Sequence, residues 1–435
     1  MYHKIGLPGA VIMTVGTVIG AGIFILIGPL GVTTGPGLFF CYLAALIVAA
    51  GSAVCYAQVA AVFPTTAATY RYARMFYSDY IGFIVGWLRW ITACYALALM
   101  GMGFADYLGP VLHLDKKFLA LGIMLLFYIV NVLGLKTTQL VQGMLVIIVV
   151  SGLLAFTGWG LPSTDLSRLG GWTEVGWGPL LQGTAAAFFA YTGLYFIAEI
   201  GDEVKNAQRN IPLAIFLSSI ILGAIYLSVA IVFSGGLGWE KIKEIQPNLA
   251  QAAGVLLPPQ LASLVRLSAV VAIFTPINAI YTASSRLLFS LAKDGFLPKF
   301  LTRTNYFGAP GLALTINLIL GIIVVLFDLS IIFLGALNSL VALVGMALTA
   351  GASLQLSRRF PREVARAPMI LKKGTLRFWA LFTIISTILL TISSFWEDPK
   401  IFLSLALWLG AGSFYFHLHK KYFQQKILER KNNEA

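Results

Sequence analysis

The sequence predicts an all-α integral membrane protein of about twelve transmembrane helices. Two observations carry this expectation. Of the 435 residues 59% are hydrophobic and only 11% are charged, whereas soluble domains carry roughly 25% charged residues. The apolar residues also form evenly spread runs, each near the roughly 20 residues that a hydrocarbon core of about 30 Å requires. A soluble globule of this length could not cover so much apolar surface.

Taken in order, the runs fall at about 8–33, 36–62, 79–108, 117–135, 138–160, 179–201, 211–236, 259–292, 310–328, 330–356, 375–394 and 399–418. The first, third, sixth and eighth are long enough to be tilted or broken. The first run is too long for a cleavable signal and reads as a retained span. Residues 1–160 and 175–356 are expected to form two five-helix repeats, 370–420 two additional helices, and 420–435 a short charged cytoplasmic tail.

Net charge is +13, with 30 Lys and Arg against 17 Asp and Glu. Taken alone, this balance would suggest nucleic acid. The basic residues instead sit in short gaps between apolar runs, which excludes that partner and points to the lipid bilayer. With the N-terminus inside, 22 Lys and Arg face the cytoplasm and 6 face outward. The expected placement is therefore multi-pass in the cell membrane with both termini cytoplasmic. Cys41, Cys55 and Cys94 lie inside apolar runs without metal-ligand spacing and read as small packed hydrophobes.

The first span contains Gly16-Thr17-Val18-Ile19-Gly20-Ala21-Gly22-Ile23. Three glycines in one helix weaken it by about 1 kcal/mol each relative to alanine. Gly16 and Gly20 form a GxxxG, so a small-residue packing face is one reading. A discontinuous helix whose exposed amides hold an anionic group is the other. The sixth span, Phe188-Phe189-Ala190-Tyr191-Thr192-Gly193, repeats the pattern. Paired interruptions in corresponding helices favour the second reading and an inverted-repeat transporter. Such breaks persist in hydrocarbon only where a ligand, an ion or water satisfies the freed backbone groups. Amides after Gly22 would suit a carboxylate, and carbonyls near Ile19 and Ala190 would suit an ammonium. An α-amino acid carries both.

These residues resemble the amino acid–polyamine–organocation (APC) superfamily in its bacterial amino acid permease form. The resemblance runs over about 5–365. It rests on Gly20-Ala21-Gly22-Ile23-Phe24, Pro64 to Tyr70, Gly86-Trp87, Phe189-Ala190-Tyr191-Thr192-Gly193, Glu203-Val204-Lys205-Asn206, Ser285-Arg286-Leu287-Leu288 and Lys293-Asp294-Gly295. It implies a five-plus-five inverted repeat with discontinuous helices 1 and 6 plus two extra helices, and secondary transport of amino acids by alternating access. It further implies a substrate carboxylate on the amides of Ala21, Gly22 and Ile23 and an amine on the carbonyls of Val18, Ile19, Phe189, Ala190 and Thr192. Phe189 would act as a gate.

Three departures stand out. Many members carry a fifth-span lysine that serves in proton coupling; Val149 holds that place here. Gln58 stands where relatives often have glutamate, and Ala67-Ala68 replaces a usual Gly-Gly pair. No cofactor is expected, and a sodium ion or a proton is the candidate coupling ion. Sodium would use carbonyls of Gly16 and Ile19 and a hydroxyl from Thr275, with Asn278 nearby; the alternative for Thr275-Pro276 is a kink whose hydroxyl bonds its own helix. An exchanger or facilitator would need no ion, and another small organic amine is an alternative cargo.

Arg89 lies in the third span and is expected to pair with Glu199 as an inner gate, or else to snorkel toward the cytoplasm. No acidic side chain is expected beside the two breaks. With Phe188, Phe189, Tyr191, Cys94, Tyr95 and Met100 as the expected lining, a neutral amino acid is favoured. The four histidines lie near ends or loops and no metalloprotease or Ser/His/Asp pattern is present, which argues against a membrane enzyme. A channel would normally assemble around a shared pore.

Overall fold

The computed structural model describes residues 4–24, 26–329, 331–395 and 399–419; the expected tail at 420–435 lies outside them. Among the described residues every long element is a helix, and β-structure is limited to two isolated bridges. Eight helical stretches of the described residues are long and apolar enough to cross a membrane. They correspond to the second, third, fifth, seventh, eighth and tenth to twelfth predicted spans. The fourth and ninth are single helices of 17 and 16 residues, Lys116–Val132 and Gly311–Leu326, near the lower limit for a crossing.

The remaining two are discontinuous. The first span is split into Leu7–Val18, Ala21–Phe24 and Ile27–Thr34. The sixth runs as Trp177–Phe189, passes through turns at 190–195, and resumes at Phe196–Glu199. The eighth also breaks, between Pro259–Val271 and Phe274–Lys293. Its cause is local: Pro276 has no N–H to give the Ala272 carbonyl four residues back, and the Thr275 hydroxyl shares its one proton between that oxygen at 3.1 Å and the Ile19 carbonyl at 2.8 Å. The third span is one unbroken helix of 34 residues, Asp79–Leu112, long enough to be tilted but not broken.

The main apolar cluster gathers buried residues of the first, second, fifth, sixth and seventh spans, including Met13, Tyr42, Val149, Phe188 and Tyr226. A second cluster joins the third, fourth, eighth and ninth spans through Leu97, Met124, Tyr281 and Leu318. Lipid tails are as apolar as these side chains, so close packing and interhelical hydrogen bonds must supply the cohesion. One such network ties the fourth, fifth and eighth spans. Asn131 Nδ2 donates to Asn278 Oδ1 at 2.9 Å, and Asn278 Nδ2 donates to Gln142 Oε1 at 2.9 Å and the Thr138 carbonyl at 3.1 Å. Thr282 Oγ1 donates to Asn131 Oδ1 at 2.8 Å.

Asn278→Ala removes three of these bonds and leaves Gln142 Oε1 without its donor, whereas Asn131 Nδ2 keeps the Phe127 carbonyl at 2.9 Å. An orphaned buried group costs roughly 1–3 kcal/mol, and interhelical bonds inside membranes average about 0.6 kcal/mol. A loss of about 2 kcal/mol is therefore expected, read as a lowered thermal midpoint in detergent.

Two departures noted in the sequence have structural consequences. Ala67 adopts φ 56° and ψ 50°, the left-handed conformation that glycine takes freely and an L-residue takes at a cost of about 1–2 kcal/mol. It is held there at the entry to the short helix Ala68–Phe76, with its N–H donating to the Glu199 carbonyl at 2.8 Å. Gln58 accepts from Leu371 N–H at 2.7 Å and donates to the Met369 carbonyl at 3.3 Å. An ionised glutamate could make only the first of these bonds.

Candidate functional site

The two breaks lie against each other in mid-bundle. Val18 ends the first helix, and Ile19 is extended at φ −73° and ψ 105°. In the sixth span Gly193 has φ 100°, which reverses the chain where a side chain would be strained. A β-carbon on Gly22 would lie 2.5 Å from Ala190 Cα, and one on Gly20 would lie 2.6 Å from the Pro276 ring. The first, sixth and eighth spans thus meet through glycines where each is interrupted. Gly16 fits the packing reading of the GxxxG: a β-carbon there would lie 2.3 Å from a Val146 methyl on the fifth span.

Freed carbonyls at the first break have partly found protein donors. Val18 O accepts from Tyr226 Oη at 3.0 Å, Ile19 O from Thr275 Oγ1 at 2.8 Å, and Gly22 O from Tyr42 Oη at 3.4 Å. Each oxygen keeps a second lone pair.

A cavity of about 170 Å³ lies beside the breaks. It is far smaller than the roughly 300–1,000 Å³ sites of drug-sized ligands. Val18, Gly20 and Gly22 border it from the first span, and Phe189, Thr192 and Gly193 from the sixth. Arg89 and Met100 border it from the third span. They are about 16 Å apart at 1.5 Å per residue, so the cavity runs along the bundle rather than across it.

Toward the N-terminal face the cavity ends on a charge pair. Arg89 Nη2 lies 3.3 Å from Glu199 Oε1, whose side chain is 7% exposed. Arg89 Nη1 donates to Tyr195 Oη at 3.2 Å. Tyr195 stacks on Tyr56 with centroids 4.1 Å apart and planes 9° apart. Tyr56 Oη and Thr69 Oγ1 are 2.6 Å apart, and Thr69 donates in turn to Glu199 Oε1. Glu199 also lines the cavity, which corrects the expectation of no acidic side chain beside the breaks: the turn after Gly193 carries it back to the third span.

Beyond this pair the N-terminal face is closed by main chain. Ile5 N–H donates to the Glu203 carbonyl at 2.7 Å, and Lys205 N–H donates to the Ile5 carbonyl at 2.8 Å. Arg286 Nε donates to Glu203 Oε1. Thr66 N–H donates to Asp202 Oδ2 at 3.2 Å, and Asp202 N–H donates to Thr66 Oγ1 at 3.3 Å.

Of the residues singled out from sequence, Val18, Gly20, Gly22, Phe189, Thr192, Gly193, Arg89 and Glu199 border the cavity. Ile19, Ile23, Ala190 and Tyr191 are buried behind its wall. Tyr191 turns away to pack against Tyr42 and Tyr226. Ala21 contributes backbone to the one-turn helix. Gly16 faces the fifth span, Asn278 belongs to the amide network, and Thr275 bridges the first and eighth spans.

Among the aromatic and sulfur residues expected as lining, Phe189 and Met100 are present. Phe188 and Cys94 are buried in the core, and Tyr95 Oη accepts from Trp408 on the twelfth span. Sequence reasoning missed Thr17, Thr92, Ser284 and Asn338 in the lining. Thr17 and Thr92 carried a signal as polar residues flanked by apolar ones, whereas Ser284 and Asn338 each adjoin a second polar residue, Ser285 and Ser339.

The family described as amino acid permease matches residues 5–410. An uncharacterised transporter of Mycobacterium tuberculosis is 30% identical over 310 residues, which cover 70% of this chain and 69% of that protein. The vacuolar cationic amino acid transporter 4 of Arabidopsis thaliana is 29% identical over 334 residues, 69% of this chain and 54% of its own. The methylthioribose transporter of Bacillus subtilis is 24% identical over 314 residues, 68% of each chain.

Proposed function

The chain belongs to the amino acid permease family, and on that premise we propose that it carries a neutral amino acid across the cytoplasmic membrane by alternating access. Both termini would lie in the cytoplasm, as the 22 to 6 division of Lys and Arg favours. The substrate would occupy the cavity between the broken spans, with its carboxylate toward the backbone amides of Ala21, Gly22 and Ile23. Its amine would face the free lone pair of the Val18 carbonyl, which accepts one bond, from Tyr226; the Phe189 carbonyl already accepts from the Thr192 N–H and hydroxyl.

One observation carries the preference for a neutral substrate. The charged side chains bordering the cavity are Arg89 and Glu199, one of each sign, and they are paired with each other. A cationic side chain would have to strip Glu199 from Arg89, leaving a buried guanidinium uncompensated at a cost of several kcal/mol. Two of the relatives named above are named for cationic amino acids and for methylthioribose, so family membership alone leaves the cargo open and the pocket must decide it.

For energy coupling we favour exchange or facilitated transport without an ion. The Ile19 carbonyl and the Thr275 hydroxyl, two groups a sodium ion would need, are hydrogen-bonded to each other at 2.8 Å. Val149, at the place of the family's coupling lysine, is buried in the apolar core. Sodium coupling is the second reading and would require that bond to break.

Proteoliposomes decide between them. Uptake of radiolabelled leucine, alanine or another neutral amino acid should be unchanged when choline replaces sodium, and should accelerate several-fold when unlabelled substrate is loaded inside. Sodium-dependent uptake would reverse the coupling assignment. Uptake of lysine or arginine but of no neutral amino acid would overturn the substrate class.

A further inference from the structure

A second concavity lies on the outside of the bundle, between the second, seventh and eleventh spans. Its volume is about 820 Å³ and its lining is almost wholly apolar. On the second span Leu46, Ala50, Val54 and Gln58 border it, a stripe at four-residue intervals and therefore one helix face. On the seventh span Leu213, Phe216, Ile220 and Gly223 do the same. Gly223 lets the two walls close on each other, since a β-carbon there would lie 2.7 Å from a Leu46 methyl. From Leu46 to Gln58 the groove extends about 18 Å at 1.5 Å per residue, close to half of a hydrocarbon core of about 30 Å. That is the reach of one leaflet.

The mouth of the groove opens at the N-terminal face and is built there. Met369, Ile370 and Leu371 cross it, held by the two Gln58 hydrogen bonds. Gln208 Nε2 donates to the Val62 carbonyl at 3.5 Å, which brings the start of the seventh span to the end of the second. Each wall then carries an exposed cation one turn above its apolar stripe. Arg209 precedes Leu213 by four residues, and Lys372 precedes Thr375, which also borders the groove, by three. Around Lys372 the sequence from 358 to 377 holds seven Lys and Arg and one acid, Glu363.

We propose that this groove is a specific site for one anionic glycerophospholipid. Its acyl chain would lie along the apolar stripes, and its phosphate would sit between Arg209 and Lys372. An apolar trench one leaflet long needs a hydrocarbon occupant, and paired cations at its mouth select a net negative headgroup over a zwitterionic one. The bound lipid would brace the segment joining the tenth and eleventh spans against the end of the second.

The test is native mass spectrometry of the purified full-length chain in mild detergent. It would be offered equal amounts of phosphatidylglycerol and phosphatidylcholine with identical acyl chains. The wild type should retain one phosphatidylglycerol at least ten-fold over phosphatidylcholine. Arg209→Gln with Lys372→Gln should bring that ratio near one. Ala50→Phe, which fills the trench and alters no charge, should lose both lipids while keeping its thermal midpoint within a few degrees. Equal retention of the two lipids by the wild type would overturn the proposal. So would retention in Ala50→Phe matching the wild type, or a ratio unmoved by the double charge substitution.

Discussion

Replacing Gly22 with valine is expected to abolish substrate binding, with no saturable uptake remaining at substrate concentrations one hundred-fold above the wild-type Kd. From sequence the expected cause would be a side chain filling a carboxylate site. The structure supplies a stronger one. A β-carbon at residue 22 would stand 2.5 Å from Ala190 Cα and 2.7 Å from Ala190 Cβ, and neither backbone nor a methyl can move aside as a flexible side chain would. The broken first and sixth spans would be driven apart, and the cavity they share would change shape. Because overpacking costs typically 1–3 kcal/mol, the variant should still insert and fold. Gly158→Ala, where a β-carbon would meet nothing within 4 Å, is the matched control. It should bind normally and gain up to about 1 kcal/mol in helix propensity. Equilibrium binding of labelled substrate to both purified proteins separates the outcomes; normal affinity in Gly22→Val would remove the close approach of the two breaks from the account.

Breaking the charge pair should have the next largest effect. Arg89→Gln or Glu199→Gln leaves a buried charge without its partner, and such losses run to roughly 3–5 kcal/mol. Either substitution is expected to lower transport at least one hundred-fold. The doubly reversed protein, Arg89→Glu with Glu199→Arg, should recover part of that loss. Recovery will be incomplete, because the Thr69 hydroxyl donates to Glu199 and the Tyr195 hydroxyl accepts from Arg89, and each would have to reverse its role toward a side chain of different length. Initial rates of uptake for the four proteins form a double-mutant cycle. A coupling energy near zero would mean that the pair does not act as a unit in the transport cycle.

The membrane bundle was legible in the sequence because hydropathy needs no tertiary information: a run of apolar residues is long enough to cross or it is not. The breaks in the first and sixth spans were legible too, since Gly20, Gly22 and Gly193 weaken a helix wherever it sits. The eighth span announced its break through Pro276. The third span, whose length alone allowed tilt or a break, runs unbroken, since glycine alone does not interrupt a helix that is packed on its neighbours. Gly101 sits against the Ala120 carbonyl of the fourth span, and the helix runs through it.

The cavity wall was harder to read. Helical periodicity stops at Phe189, so no spacing rule says which way Tyr191 points after two turn residues. Packing against Tyr42 and Tyr226 takes it out of the lining. The partners of Glu199 were equally hidden. Thr69 and Tyr56 lie 130 and more residues away along the chain, and neither stands out as a motif. Asn131 and Gln142 did carry a signal, as amides inside apolar runs. Their meaning depended on Asn278 arriving from the eighth span.

The closure at the N-terminal face has its own bearing on how such carriers diverge. Ile5 is bound through its N–H and its carbonyl to the chain at 203–205, and main-chain groups are the same whatever side chains they bear. Substitution at these positions can therefore alter the surrounding charges, Glu203 and Arg286 among them, without erasing the seam itself. A lineage is free to retune the charges around the seam, while the seam itself persists unchanged beneath the drift in sequence.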